Sequence, residues 1–210
     1  MTPRQLTFMF ALMVVLMTTP FLGAQDRLPA IPADKMTDEQ KAAVKEFESV
    51  RKAELSGPFV PLARSPELLS RTRALGDYLR FRSALPPRLS EFVILLTARQ
   101  WTQNYEWSVH QPIAIKAGVD TETAKAIAEG RRPEHMSDEE EILYDFCTEL
   151  HVNRSVGDRT YARALSKFGE KGIVDTLGIS GYYTLLAMVL NTARTPADAA
   201  ATPLLAPFPR

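Results

Sequence analysis

Residues 88–118, RLSEFVILLTARQWTQNYEWSVHQPIAIKAG, hold the side chains best suited to moving a proton. Glu106 and His110 stand four apart, the spacing that stacks two side chains on one face of a helix. Gln103 precedes Glu106 by three and joins that face if the helix begins early enough. Glu91 sits at the entrance of the apolar run 92–96 and comes back over the same face if the two segments fold as a hairpin. Two carboxylates, an imidazole and an amide would then share a pocket flanked by Trp101, Tyr105 and Trp107. Histidine is the side chain that titrates near neutrality, so His110 is the natural general acid/base. With Glu91 and Glu106 it makes a cluster that can move protons. The same three groups could also offer oxygen and nitrogen ligands to a metal. No second histidine lies nearby and the Glu-x-x-His repeats of di-iron bundles are missing, so no metal or cofactor is expected.

The elements that must position these groups all read as helices. Thr37 with Gln40 forms a capping-box pattern for a polar helix reaching about residue 55. Ser65 followed by Pro66 opens a second helix to about residue 82. Pro86-Pro87 start the central helix, whose apolar run is too continuous for an ordinary amphipathic surface helix and must be surrounded by protein. Pro112 should kink the segment after His110 or mark a new first turn, and Gly118 should cap its end. Asp120 caps a short helix, and Ser137 with Glu140 makes another capping box. His151 falls at a helix end, where a cation suits the dipole. Asp158 caps a helix ending near Phe168-Gly169. A long apolar helix follows over residues 171–193, with Gly178 and Gly181 offering a flat stripe and Tyr182 and Tyr183 two phenols. Arginines crowd the segment before the central helix, and one of Arg80, Arg82 or Arg88 could clamp a carboxylated substrate.

The first 24 residues read as an export signal: Arg4, an apolar core over residues 6–17, and the small-residue end Leu22-Gly23-Ala24. That core is shorter than the roughly 20 residues needed to span a bilayer, so no stable membrane span is expected after cleavage. The destination is periplasmic or secreted. No cysteine adjoins the cleavage point, which excludes lipid attachment there. Basic and acidic residues number 25 each, and loss of Arg4 leaves one more acid than base. This balance recruits neither nucleic acid nor an anionic membrane. Cys147, the single cysteine, cannot form an internal disulfide, and its neighbours suggest an inert buried position.

The stretch 88–118 resembles the central motif of the carboxymuconolactone decarboxylase family, which includes the AhpD-like alkyl hydroperoxidases. Peroxidase members carry a Glu, a Cys-x-x-Cys and a downstream His. Glu91 and His110 match the Glu and the His in order and spacing, while Gln103 and Glu106 stand at the two cysteine positions. The segments GVDTETAKAIAEGRRPEHMSDEEEILYDF and GIVDTLGISGYYTLLAMVLN are also similar to this family. The resemblance implies an all-α, AhpD-like helical bundle that forms a homotrimer or homohexamer. It divides the chain into a signal (1–24), an N-terminal arm and helix (25–57), the family domain (58–195) and an extended tail (196–210) that would lie over a neighbouring subunit. It further implies an enzyme acting on a small molecule. The activity that the resemblance implies is that of a cofactor-free lyase or isomerase of the decarboxylase type, with Glu91, Glu106 and His110 catalytic: His110 the general acid/base, Glu106 its orienting partner, and Glu91, taken partly out of water, a second proton-transfer group. Gln103 or a tyrosine would donate to the oxyanion, and Gln103, Tyr105, Trp107 and Arg88 would bind a small carboxylated or lactone substrate. The alternatives are a thiol-dependent peroxidase, for which both motif cysteines are missing, and a non-catalytic binding or assembly protein.

Overall fold

The computed structural model describes residues 26–197 and 205–206; the proposed export signal and most of the tail lie outside them. Eight α-helices and one short 3-10 turn make up the described secondary structure: α1 (Asp38–Arg51), α2 (Phe59–Leu62), α3 (Pro66–Phe81), α4 (Pro87–Gln100), α5 (Asn104–Ala117), α6 (Thr121–Ala128), α7 (Asp138–Asn153) and α8 (Asp158–Ala193). Among the described residues there is no strand.

α4 is the axis of the bundle. Every residue from Leu89 to Arg99 is buried, because α5, α7 and α8 each pack along it. The uninterrupted apolar run thus has a neighbour on every side, as burial of such a helix demands. α1 and α8 in turn pack on α3.

The caps follow local chemistry. Thr37 and Ser137 each complete a capping box, with Gln40 and Glu140 respectively, and Asp120 accepts from the N–H groups of Glu122 and Thr123. Gly118 closes α5 at φ 104°, a conformation that favours glycine. Four expectations are corrected. α5 continues through Pro112, since one missing intrahelical hydrogen bond does not end a helix held along its length by α4. The cap of α8 is Gly157, with Asp158 already helical; Glu149 of α7 reaches across instead, accepting from Gly157 N at 2.8 Å and Thr160 Oγ1 at 2.6 Å. His151 is drawn inward, its Nε2 2.8 Å from Ser180 Oγ, and burial lowers its pKa, so it does not serve as a terminal cation. Gly181 faces open space, and the close helix approach occurs at Gly178, where an added Cβ would come within 2.9 Å of Leu79 Cδ2.

Gly169, at φ 64° and ψ 176°, breaks α8 into segments 158–168 and 170–193. Among the described helices α8 alone is long and apolar enough to cross a membrane, yet 56% of its apolar window is buried within the protein, the pattern of a core helix. The N-terminal arm runs along the end of this helix: Arg27 N donates to Ala193 O at 2.7 Å, and Arg64 donates to the carbonyls of Leu28 and Pro29. Tail residues 205 and 206 lie on their own chain. Leu205 is buried in the core, its N–H bonded to Asn104, and Ala206 O accepts from Arg99 at 2.7 Å.

Candidate functional site

The turn between α4 and α5 sets the geometry. Gln103 is the N-cap of α5, its Oε1 accepting from Tyr105 N at 2.6 Å and Glu106 N at 3.2 Å. Its Nε2 donates to Asn191 Oδ1 at 2.9 Å, which ties the turn to α8. Both ends of this amide are therefore engaged in structure, and Gln103 is absent from the cavity wall. With α5 started at Asn104, Glu106 and His110 fall on the side facing α4, opposite Glu91.

The three titratable groups converge. His110 Nδ1 lies 2.6 Å from Glu91 Oε2, and His110 Nε2 lies 3.5 Å from Glu106 Oε2. All three residues are at least 95% buried. At this distance Nδ1 and the Glu91 carboxyl share one proton, and Nε2 is directed toward Glu106. The Glu106 carboxyl is pushed above the ordinary carboxylate range by burial, with His110 and Arg80 drawing it partly back and Glu91 adding to the rise. Its Oε1 is buried and has no hydrogen-bond partner among the described residues. The roles expected of the two carboxylates are thereby exchanged: Glu91 orients the imidazole from behind, and Glu106 faces outward with it.

Glu106 and His110 open on a cavity of about 140 Å³, walled also by Arg51, Arg80, Tyr105 and Tyr183 among others. The Tyr183 ring meets His110 edge-on at 4.9 Å and 86°, and Tyr182 meets Tyr183 at 5.2 Å and 83°. Burial raises the pKa of all three cavity phenols, Tyr105, Tyr182 and Tyr183, which keeps them as neutral O–H donors. Gly57, at φ 53°, lets the chain after α1 close over Tyr105, whose ring occupies the space a Cβ would need.

Arg80 is the central-segment arginine at this site, with a guanidinium nitrogen 3.9 Å from Glu91 Oε1. Arg88 is elsewhere, paired with Glu139 at 2.9 Å and Glu140 at 2.6 Å. Arg82 lies over the Tyr78 ring. Trp107 is buried in the core, outside the cavity lining. Arg51 of α1 was not anticipated, although Ala43, Phe47 and Arg51 recur at i, i+4 and i+8 and so share the buried stripe of that helix. Cys147 is fully buried, its thiol pushed up to about 12, and does not line the cavity. Among the described residues no group of three His, Cys, Asp or Glu side chains is placed to hold a metal ion.

The chain matches no protein-family model and no curated protein. Solved structures do match its fold. An uncharacterized peroxidase-related protein from Silicibacter sp. TM1040 aligns at a TM-score of 0.69 and 15% identity, covering 90% of this chain and 100% of that one. The debrominase Bmp8, solved in complex with 2,3,4-tribromopyrrole, aligns at 0.65 and 11%, covering 85% and 95%. An alkylhydroperoxidase AhpD core, an uncharacterized peroxidase-related protein from Ralstonia eutropha JMP134, aligns at 0.64 and 16%, covering 83% and 93%. At this level of identity the likeness shows the architecture: the chain has the AhpD-like helical fold.

Proposed function

We propose that this chain is a cofactor-free lyase or isomerase that moves protons on a small carboxylated or lactone substrate. The observation that carries the reading is the row Glu91–His110–Glu106, which begins in the core and ends in a small cavity walled by a guanidinium. Glu91 holds the imidazole in place, and His110 Nε2 and the Glu106 carboxyl are the groups within reach of a ligand. Arg80 attracts the substrate's carboxylate. In decarboxylation the bond to the carboxylate breaks, carbon dioxide leaves, and the electron pair passes into the conjugated carbonyl as an enolate. A buried phenol donates to that enolate oxygen, and Glu106 or His110 delivers a proton to carbon. For isomerisation the same groups remove a proton from one carbon and return it to another.

At about 140 Å³ the cavity is smaller than the roughly 300–1,000 Å³ of pockets that take drug-sized ligands, which favours a substrate of one small ring. The tribromopyrrole bound to Bmp8 is a ligand of that size and supports this choice. The peroxidase reading is not favoured. Peroxide reduction needs an accessible thiolate and a resolving thiol, whereas Cys147 is buried, alone and held as a thiol. The test is solvent exchange: small unsaturated lactone acids are incubated with the protein in deuterated water and followed by NMR. Deuterium entering a carbon position, or release of carbon dioxide, is expected for the wild type and lost in His110→Asn. Absence of both across the lactone acids, with folded protein, would overturn the proposal.

A further inference from the structure

The cavity has a second cation, supplied by the N-terminal helix. Arg51 ends α1 and lines the same cavity as Arg80 of α3. Its Nε stands 2.8 Å from Asp77 Oδ1 as an ion pair, without a hydrogen-bond partner among the described residues, and its guanidinium lies over the Phe59 and Phe47 rings at 5.3 and 5.8 Å. An arginine laid on aromatic faces is oriented before any ligand arrives. Asp77 is shared with Arg73, 2.9 Å away, and Arg73 also meets Glu46 at 2.8 Å. The acid that holds Arg51 is thus divided between two cations, and the rest of the Arg51 fork is left at the cavity.

Arg80 is also incompletely satisfied. Glu91 gives its short contact to His110 and stands 3.9 Å from Arg80. Arg80 Nε is buried with no hydrogen-bond partner among the described residues. Buried donors without partners are uncommon, because each forfeits its solvation. The cavity lining holds another such atom, Glu106 Oε1. The lining therefore offers a donor for an acceptor with negative charge and an oxygen for another polar group of the same small molecule.

We propose that Arg51 and Arg80, from two different helices, form a paired clamp for the carboxylate of a one-ring monoacid, which makes α1 part of the active site. The proposal rests on the functional reading above for the identity of the site, and it concerns binding alone. The carboxylate lies between the two guanidinium groups, and the ring projects toward Glu106 and His110. Neutral isosteres of the acid are rejected because they bring no charge to either guanidinium. Phe59 and Tyr105 bound the ring at its edge.

The experiment titrates the full chain with furan-2-carboxylate and with its neutral isostere furan-2-carboxamide, by calorimetry and by thermal shift. The wild type is expected to bind the carboxylate at millimolar concentration or below and to bind the amide far more weakly. Arg51→Met and Arg80→Met should each weaken carboxylate binding by about 10- to 100-fold, the loss expected for a charge-assisted contact, and leave the amide unchanged. Asp77→Asn releases Arg51 from its competing acid without removing it, and should tighten carboxylate binding. This second variant decides the matter if Arg51→Met does not fold. His110→Asn should keep carboxylate binding while losing deuterium exchange, so failure of the acid/base reading and failure of the clamp are separable. Wild-type protein that treats acid and amide alike overturns the clamp. So does carboxylate binding unaffected by Arg51→Met, or weakened or unchanged by Asp77→Asn.

Discussion

Glu106 is the carboxyl whose surroundings least resemble water, and its protonation is where site chemistry becomes measurable as stability. The charged or titratable groups acting on it come from every neighbouring helix: His110 on α5, Arg80 on α3, Glu91 on α4 and Tyr183 on α8. Burial dominates and holds its pKa above the ordinary 4.5. The folded protein therefore keeps this proton at pH values where the unfolded chain has released it. Between the unfolded and folded values the native state binds more protons, so this group's contribution to stability falls as pH rises through that window. Glu106→Gln fixes the neutral form and removes the effect. The unfolding free energy of the variant, measured by denaturant melts against wild type, should gain on the wild type as pH climbs above 4.5. Carboxylates with lowered pKa, such as Asp145 and Asp175, slope the opposite way and cancel in the difference. A difference that stays flat with pH would show that Glu106 ionises as readily in the fold as outside it. For His110→Asn the expectation concerns turnover: the amide still offers Glu91 an N–H but cannot titrate, and a loss of about 10²–10⁴-fold is expected for a general acid/base. Steady-state rates near wild type would remove His110 from the chemistry.

Three glycines report how tightly the helices frame the cavity. A Cβ on Gly76 of α3 would lie 2.7 Å from Tyr182 Cζ and overlap the hydroxyl, so Gly76→Ala must push a cavity-wall phenol aside. Overpacking of this kind costs about 1–3 kcal/mol. Gly178→Ala meets only the end of the Leu79 side chain, which can turn away, and should cost less. Gly181→Ala meets nothing within 4 Å and should stabilise the chain by roughly 0.5–1 kcal/mol through helix propensity. Thermal melts of the three variants should rank in that order; a destabilised Gly181→Ala would show that helix propensity does not govern this position. What the sequence made legible at this scale was local. Capping boxes at Thr37 and Ser137, the glycine stop at Gly118 and the Glu106–His110 spacing are each decided within one or two turns, and hairpin topology then brings Glu91 across. Arg80 could not be told from Arg88, because their difference lies in how α3 crosses α4 and α8. Gln103 looked free for a ligand because an N-cap and a bond to Asn191, 88 residues away, leave no mark on neighbouring residues. α1 read only as a polar helix, although its Ala43–Phe47–Arg51 stripe carried the signal of a buried face.

On the scale of the whole molecule two expectations become proposals. The first is export: we propose that residues 1–24 are removed, so protein recovered from the periplasm or medium should have a mass that begins at Gln25. An intact chain retained in the cytoplasm would reject this. The second is assembly. The second segment of α8 exposes Val174, Leu177 and Met188 at 64%, 40% and 43%, at spacings that place them on one stripe with Gly181 between. An apolar stripe along a core helix is a costly surface for a lone chain to leave in water. We propose that this stripe packs on a second copy in a homotrimer or homohexamer. Stable interfaces of this kind bury about 1,200–2,000 Å², so the stripe would form the apolar centre of a wider contact. Light scattering at micromolar concentration should give a mass that is a multiple of the monomer. Val174→Glu combined with Met188→Glu places charge in the middle of the stripe, and should reduce that mass to a monomer while leaving the helical far-UV spectrum intact. A wild-type chain that is monomeric at micromolar concentration, or a double variant with unchanged mass, would assign the stripe to something other than self-association.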